Sequence, residues 1–231
     1  MNILIKLSGE GLSKGESRYN EASLYLISDQ IKELLGLGHQ IFLVIGGGNI
    51  FRGKDLTGKL SVEATTGDYI GMLATVQNAL VLRDYFNGKG IDTRVMSAIS
   101  MPQICESYIP KRALRHAEKG RVVIFGGGLG LPFFTTDSAS VQRALEMKSD
   151  LLIMAKNGVD GIYTGDPKLD STASFIKNIS ASEILDKKLK VADLSAIALA
   201  RDNSLKIRVV NTSVISKALS DEDLGSTIEP K

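Results

Sequence analysis

Six short apolar runs recur along the chain, at residues 3–7, 41–45, 94–96, 122–125, 151–154 and 207–210, and most are continuous rather than alternating. A strand that is apolar on both faces must be covered on both faces, which is the situation of a parallel strand inside an α/β protein. Longer stretches between the runs have helical periodicity. In the first, Leu24, Ile27, Ile31, Leu34 and Leu35 share one face, with Asn20 placed to cap the start and Gly36 and Gly38 to end it. Residues 66–86 predict a second helix ending near Gly88, and residues 110–119 a third with Pro110 in its first turn. A fourth begins at Thr136 or Asp137, and a fifth occupies much of residues 180–200. This alternation predicts one mainly parallel α/β sheet with helices on both sides. No linker interrupts residues 1–231, which read as a single domain. The polar segment 161–174, with its turn-prone Asp166-Pro167, reads as an active-site loop or hairpin.

A chain of 231 residues can bury a core without a disulfide or metal staple. Lys and Arg number 28 against 26 Asp and Glu, a net +2 that gives no general attraction to nucleic acid or membrane. Any anion binding therefore comes from local placement of charge. Cys105 is the one cysteine, so no internal disulfide forms, as expected of a reducing cytosol. Neither histidine, His39 or His116, sits in a recognisable partner motif for it, and Cys105 reads as a small apolar filler. The apolar start is too short for a signal peptide, and no run reaches the roughly 18 residues of a membrane span.

Glycine-rich turns follow three of the strands. They are Lys6-Leu7-Ser8-Gly9-Glu10-Gly11, Gly46-Gly47-Gly48-Asn49-Ile50-Phe51-Arg52-Gly53, and Gly126-Gly127-Gly128-Leu129-Gly130-Leu131-Pro132-Phe133-Phe134-Thr135-Thr136-Asp137. Ligands of open α/β sheets sit beyond the carboxyl ends of strands. Glycine lets backbone N–H groups close on phosphate oxygens there. Three such turns predict phosphate binding. Two common motifs fail. Residues 53–59 nearly spell a P-loop, but Leu60 stands where Ser or Thr is required and no strand precedes it. A dinucleotide fingerprint would need glycine at Phe51 or Leu131.

The charges beside these turns suit phosphoryl transfer, which needs positioning and neutralisation more than covalent help. Lys6 opens onto the first turn, and Arg52 follows the triple glycine with a fork of donors. Asp137 either caps the fourth helix or orients Lys6 or a magnesium ion.

These segments, together with residues 67–75 (Gly-Asp-Tyr-Ile-Gly-Met-Leu-Ala-Thr) and 159–167 (Val-Asp-Gly-Ile-Tyr-Thr-Gly-Asp-Pro), resemble bacterial UMP kinases of the amino acid kinase family. The match extends through residues 189–202, so it covers effectively the whole chain. The resemblance implies a three-layer αβα sandwich with about eight mainly parallel strands, magnesium-ATP as donor, a role in pyrimidine nucleotide synthesis, a homohexamer and a cytoplasmic location. It places Lys6, Leu7, Ser8, Gly9, Gly48, Arg52, Asn157, Tyr163 and Asp166 at ATP. It places Gly47, Asp68, Leu129, Gly130, Leu131, Pro132, Phe133, Phe134, Thr135 and Thr136 at UMP. Lys6, Arg52 and Asp137 become the catalytic set, with magnesium held mainly by ATP phosphates.

The chain departs from the family where Thr-Gly-Asn-Pro is usual and Leu129-Gly130-Leu131-Pro132 stands instead. Two side-chain hydrogen bonds to UMP are lost, each worth about 0.5–1.5 kcal/mol, so weaker or less selective UMP binding is expected. Ser17-Arg18-Tyr19 replaces a Gly-Phe-Gly linked to GTP activation, and Ala192-Asp193 replaces Met-Asp. Lys156 is a candidate second cation. The rival readings are a small-acid kinase of the same fold and a nucleotide sensor without catalysis.

Overall fold

The computed structural model describes residues 1–51, 61–167, 169–220 and 223–231. In chain order the elements are β1 Asn2–Leu7, α1 Glu21–Gly36, β2 Gln40–Ile45, α2 Ala64–Gly88, β3 Thr93–Ser97, β4 Glu106–Ser107, α3 Pro110–Glu118, β5 Val122–Gly126, α4 Thr136–Glu146 and β6 Leu151–Lys156. Next come β7 Ile162–Tyr163, β8 Phe175–Ile176, β9 Asn178–Ser180, α5 Ala181–Lys187, α6 Leu194–Asp202, β10 Ile207–Asn211 and β11 Ser226–Glu229. All six apolar runs are strands.

The main sheet has nine strands in the order β4-β3-β5-β2-β1-β6-β10-β11-β9, against about eight expected. Every neighbouring pair is parallel except β10 with β11. Strands β7 and β8 form a separate antiparallel hairpin inside the polar segment 161–174 and just beyond it. Among the described residues no helix is long and apolar enough to cross a membrane.

Two apolar layers follow from the two-residue period of the strands. Ile3, Ile5 and Leu7 of β1 face α1 and α2, packing with Ile27, Ile31, Ala79 and Leu82. Leu4, on the opposite face, packs with Phe42, Val123 and Met154 under Ala139 and Val141 of α4. Lys6 shares the face of Leu4, so its side chain rises toward α4. That alternation alone aims the chain's first buried cation at the start of α4.

The expected fifth helix is two helices. Helix α5 opens with a full capping box between Ser180 and Glu183 and ends at Lys188, which is left-handed at φ 50. Residues 188–193 leave the helix and turn toward the sheet edge. The apolar spacing carries through this break, which is why periodicity reads it as continuous. The carbonyl of Val191 accepts a hydrogen bond from the Lys156 ammonium at 2.7 Å, which a continuous helix would forbid.

Phe42 is fully buried and stacks on Phe125, with ring centroids 6.1 Å apart. Phe42→Ala is expected to lower unfolding free energy by about 3–5 kcal/mol. Denaturant unfolding at constant slope measures it, and a loss well under that range would mean that this layer collapses around the cavity.

Candidate functional site

Strands β5, β2, β1 and β6 are neighbours and parallel, so their carboxyl ends share one edge. The three glycine turns leave β1, β2 and β5 there. Turns one and two touch backbone to backbone. The Gly46 amide donates to the Leu7 carbonyl at 2.9 Å, and a Cβ on Gly9 would stand 2.5 Å from Asn49 Oδ1 and 2.8 Å from the Gly46 carbonyl. Only glycine fits that approach. In the third turn Gly127, Gly128 and Gly130 have φ of 75, 57 and 77, which glycine adopts without the Cβ penalty.

A cleft of about 310 Å³ opens between the turns, lined by Ser8, Gly9, Gly46, Gly47 and Gly48 and closed by Lys6, Thr136, Lys156 and Asn157. A second cavity, about 560 Å³, continues from it between the β7–β8 hairpin and residues 187–191, with Tyr163 and Asp166 in its wall. Lys156 and Val159 line both. The paired cavities fit a polyanion at one end and a flat ring at the other. Tyr163 is held edge-on by Phe175, centroids 5.4 Å apart.

At the cleft floor Lys6 Nζ lies 2.9 Å from Asp137 Oδ1, both largely buried. The contact is a close ion pair, and Oδ1 is shielded from solvent. Asp137 does not cap α4; Thr135 does, accepting from the Asp137 amide at 3.1 Å. The carboxylate is therefore left for the cations. Burial alone would push Asp137 up, but the Lys6 and Lys156 ammoniums outweigh it and hold the carboxyl below its ordinary 3.8. Lys156 is held below a lysine's usual value: burial and repulsion by Lys6 lower it against the pull of Asp137 and Asp193. Lys6 thus pairs directly with Asp137, while Lys156 bonds the Val191 carbonyl and lies in the field of both Asp137 and Asp193, so two cations line the cleft where phosphate would sit.

The sequence-derived sites divide under this geometry. Lys6, Ser8, Gly9, Gly47, Gly48, Thr136, Asn157, Tyr163, Asp166 and Asp137 come together along the two cavities or their floor. Leu7 is in the core, so only its backbone reaches the edge. Asp68, near the start of α2, accepts from the Phe133 amide at 2.8 Å, tying α2 to the third turn. Phe133 takes a left-handed φ of 67 there. Leu129 packs against the core, while Leu131, Phe133 and Phe134 are exposed. The Thr135 hydroxyl bonds Asp193. Gly130 and Pro132 shape the same turn. Arg52 lies outside the described residues, as do 53–60 with the near P-loop.

Sequence reasoning offered Lys156 only as a candidate second cation and gave Asp193, noted beside Ala192, no role. It also missed Arg143, a buried guanidinium that pairs Glu146 at 2.6 Å, lies 3.6 Å over the Tyr108 ring and donates to the Gly128 carbonyl at 3.4 Å. Arg143 thereby ties α4, which carries Asp137, to the third turn.

The model of the amino acid kinase family matches residues 1–211. The uridylate kinase of Mycobacterium sp. (strain KMS) is 46% identical over 229 residues, covering 98% of this chain and 90% of the relative. That of Cutibacterium acnes is 44% identical over 229 residues, covering 98% and 96%. Among solved structures, the UMP kinase of Bacillus anthracis superposes with a TM-score of 0.93 at 39% identity, covering 100% of this chain and 96% of that one. The UMP kinase of Ureaplasma parvum gives 0.91 at 32%, covering 99% and 98%.

The charge cluster predicts a pH signature. A depressed carboxyl stabilises the fold fully above 3.8 and ceases to do so as pH falls through its folded value. Asp137→Asn leaves the buried Lys6 without its carboxylate and is expected to cost about 3 kcal/mol at neutral pH. Thermal melts of both proteins should converge as pH falls below 3.8; a gap that stays constant with pH would mean that Asp137 carries no charge in the fold.

Proposed function

This chain belongs to the amino acid kinase family, and from that premise we propose that it transfers the γ-phosphoryl group of ATP to UMP, giving UDP for pyrimidine nucleotide synthesis. The observation that carries the reading is the Lys6–Asp137 ion pair, with Lys156 lining the same cleft, beneath glycine turns where two cavities adjoin.

ATP lies with its nucleoside in the larger cavity against Tyr163 and Asp166, and its phosphates run past Asn157 to the Ser8, Gly9 and Gly48 backbone. UMP lies against Gly47, Asp68 and residues 129–136. The two nucleotides meet end to end over Lys6. An oxygen of the UMP phosphate attacks the γ-phosphorus in line as the bond to the β-phosphate oxygen breaks, and ADP leaves. No enzyme nucleophile takes part. Lys6, with Arg52 and Lys156, offsets the charge that gathers on the transferred group, and the turn amides hold both substrates in the attacking geometry. Asp137 keeps Lys6 aimed.

A divalent metal accompanies ATP in this transfer, and magnesium is the ion of choice. The ion would ride mainly on the ATP phosphates, where it would neutralise their charge. The reading includes one domain over residues 1–231, a cytoplasmic location and a homohexamer. Exposed Tyr69 and Leu73, one turn apart on α2, offer apolar surface to a neighbouring copy. The small-acid kinase and the silent sensor are not favoured beside relatives named uridylate kinase.

The test is UDP formation from magnesium-ATP with UMP, CMP and dUMP side by side. UMP is expected to be the best acceptor, and Lys6→Met to lower kcat by roughly two orders of magnitude or more with the fold intact. No UDP from UMP, or near-normal turnover by Lys6→Met, would contradict the reading.

A further inference from the structure

Helix α2 touches both nucleotide turns with residues that do not line the cleft. Asn78 is fully buried, and its side-chain amide uses its whole hydrogen-bonding capacity. Nδ2 donates to the Gly46 carbonyl and to Asn49 Oδ1, each at 2.7 Å. Oδ1 accepts from Asn49 Nδ2 at 3.2 Å and from the Tyr19 hydroxyl at 3.0 Å. This reciprocal amide pair fastens the second glycine turn. One helical turn earlier, Thr75 is buried and acts as both donor and acceptor. Its hydroxyl donates to the Met72 carbonyl at 2.7 Å and accepts from the Gly127 amide at 2.8 Å, fastening the third turn. Between these contacts the helix surface carries the second turn directly: a Cβ on Gly47 would stand 2.9 Å from Ala74 Cβ and 3.0 Å from the Gly71 carbonyl.

Residues three apart share one helix face and have a fixed rise. We infer that Thr75 and Asn78 are positioning residues that index the acceptor turn and the phosphate turn against each other on one face of α2. The inference rests on the assignment of ATP and UMP to these turns. Transfer in line requires the two phosphates in near-attack register, and a shift of about an ångström in either turn is costly. A rigid helix that grips both turns within one helical turn supplies that register. The grip also explains polar side chains in the interior of a helix that otherwise packs Ala79, Leu82 and Phe86 into the core.

The decisive experiment compares KM and kcat. Thr75→Val keeps the shape and strands the Gly127 amide, and it is expected to raise KM for UMP about tenfold with KM for ATP unchanged. Thr75→Ser, which restores the hydroxyl, should restore KM. Leu82→Ala weakens the same helix away from the turns and should lower the melting temperature without moving either KM. Asn78→Ser should lower kcat and raise both KM values. If Thr75→Val fails to fold, Thr75→Ala against Thr75→Ser gives the same contrast. An unmoved KM for UMP in the hydroxyl-less variant, no rescue by serine, or the same shift in Leu82→Ala would overturn the inference. Absence of UDP from the unaltered protein would instead overturn the kinase reading. Calorimetric UMP affinity, expected to fall in Thr75→Val and to stay unchanged in Thr75→Ser and Leu82→Ala, separates the two.

Discussion

The Lys6–Asp137 ion pair is the constraint around which the rest of the site is arranged. A buried lysine at the end of a central strand is costly unless a carboxylate meets it. Strand alternation sends Lys6 to the α4 side, Thr135 takes over the capping of α4, and Asp137 is left to face the lysine. Lys156 arrives from the neighbouring strand and is anchored by a carbonyl available only because the fifth helical segment breaks. Packing has thus brought two lysines and their carboxylates to the edge where the glycine turns would hold phosphate.

The backbone makes the second contribution. Glycine at positions 9 and 47 lets two turns and a helix approach to distances that any side chain would block. The positive φ of residues 127, 128 and 130 bends the third turn over the same edge. Arg143 and Asp68 tie that turn to α4 and α2, so the helices that flank the sheet also hold its loops. Position, more than reactive side-chain chemistry, is what such an edge provides, and phosphoryl transfer asks for that.

Much of this was legible in the chain. Continuous apolar runs revealed the parallel sheet because both faces are covered, and glycine after three of them marked the ligand edge. The role of Asp137 stayed open because cap and counter-ion place the same residue type at the same position; only the Thr135 hydroxyl decides between them. Thr75 and Asn78 gave no signal, since a polar residue inside an amphipathic helix reads as ordinary until its partners are known. The break at Lys188 was hidden by apolar spacing that continues through it. Lys156 and Asp193 depended on a long-range approach of strand β6 to residues 188–193, which no local pattern records. Leu129 shows the reverse: its change from the usual polar residue was plain in the sequence, and its place against the core accounts for what the side chain now does.

The account stands on two nucleotides meeting head to head above the Lys6–Asp137 pair. A crystal structure with a non-hydrolysable ATP analogue and UMP bound together measures this directly. It should place an oxygen of the UMP phosphate about 3–3.5 Å from the γ-phosphorus, with the Lys6 ammonium on the γ-phosphate. Nucleotides bound on separate faces of the sheet, or a γ-phosphate remote from Lys6, would contradict it.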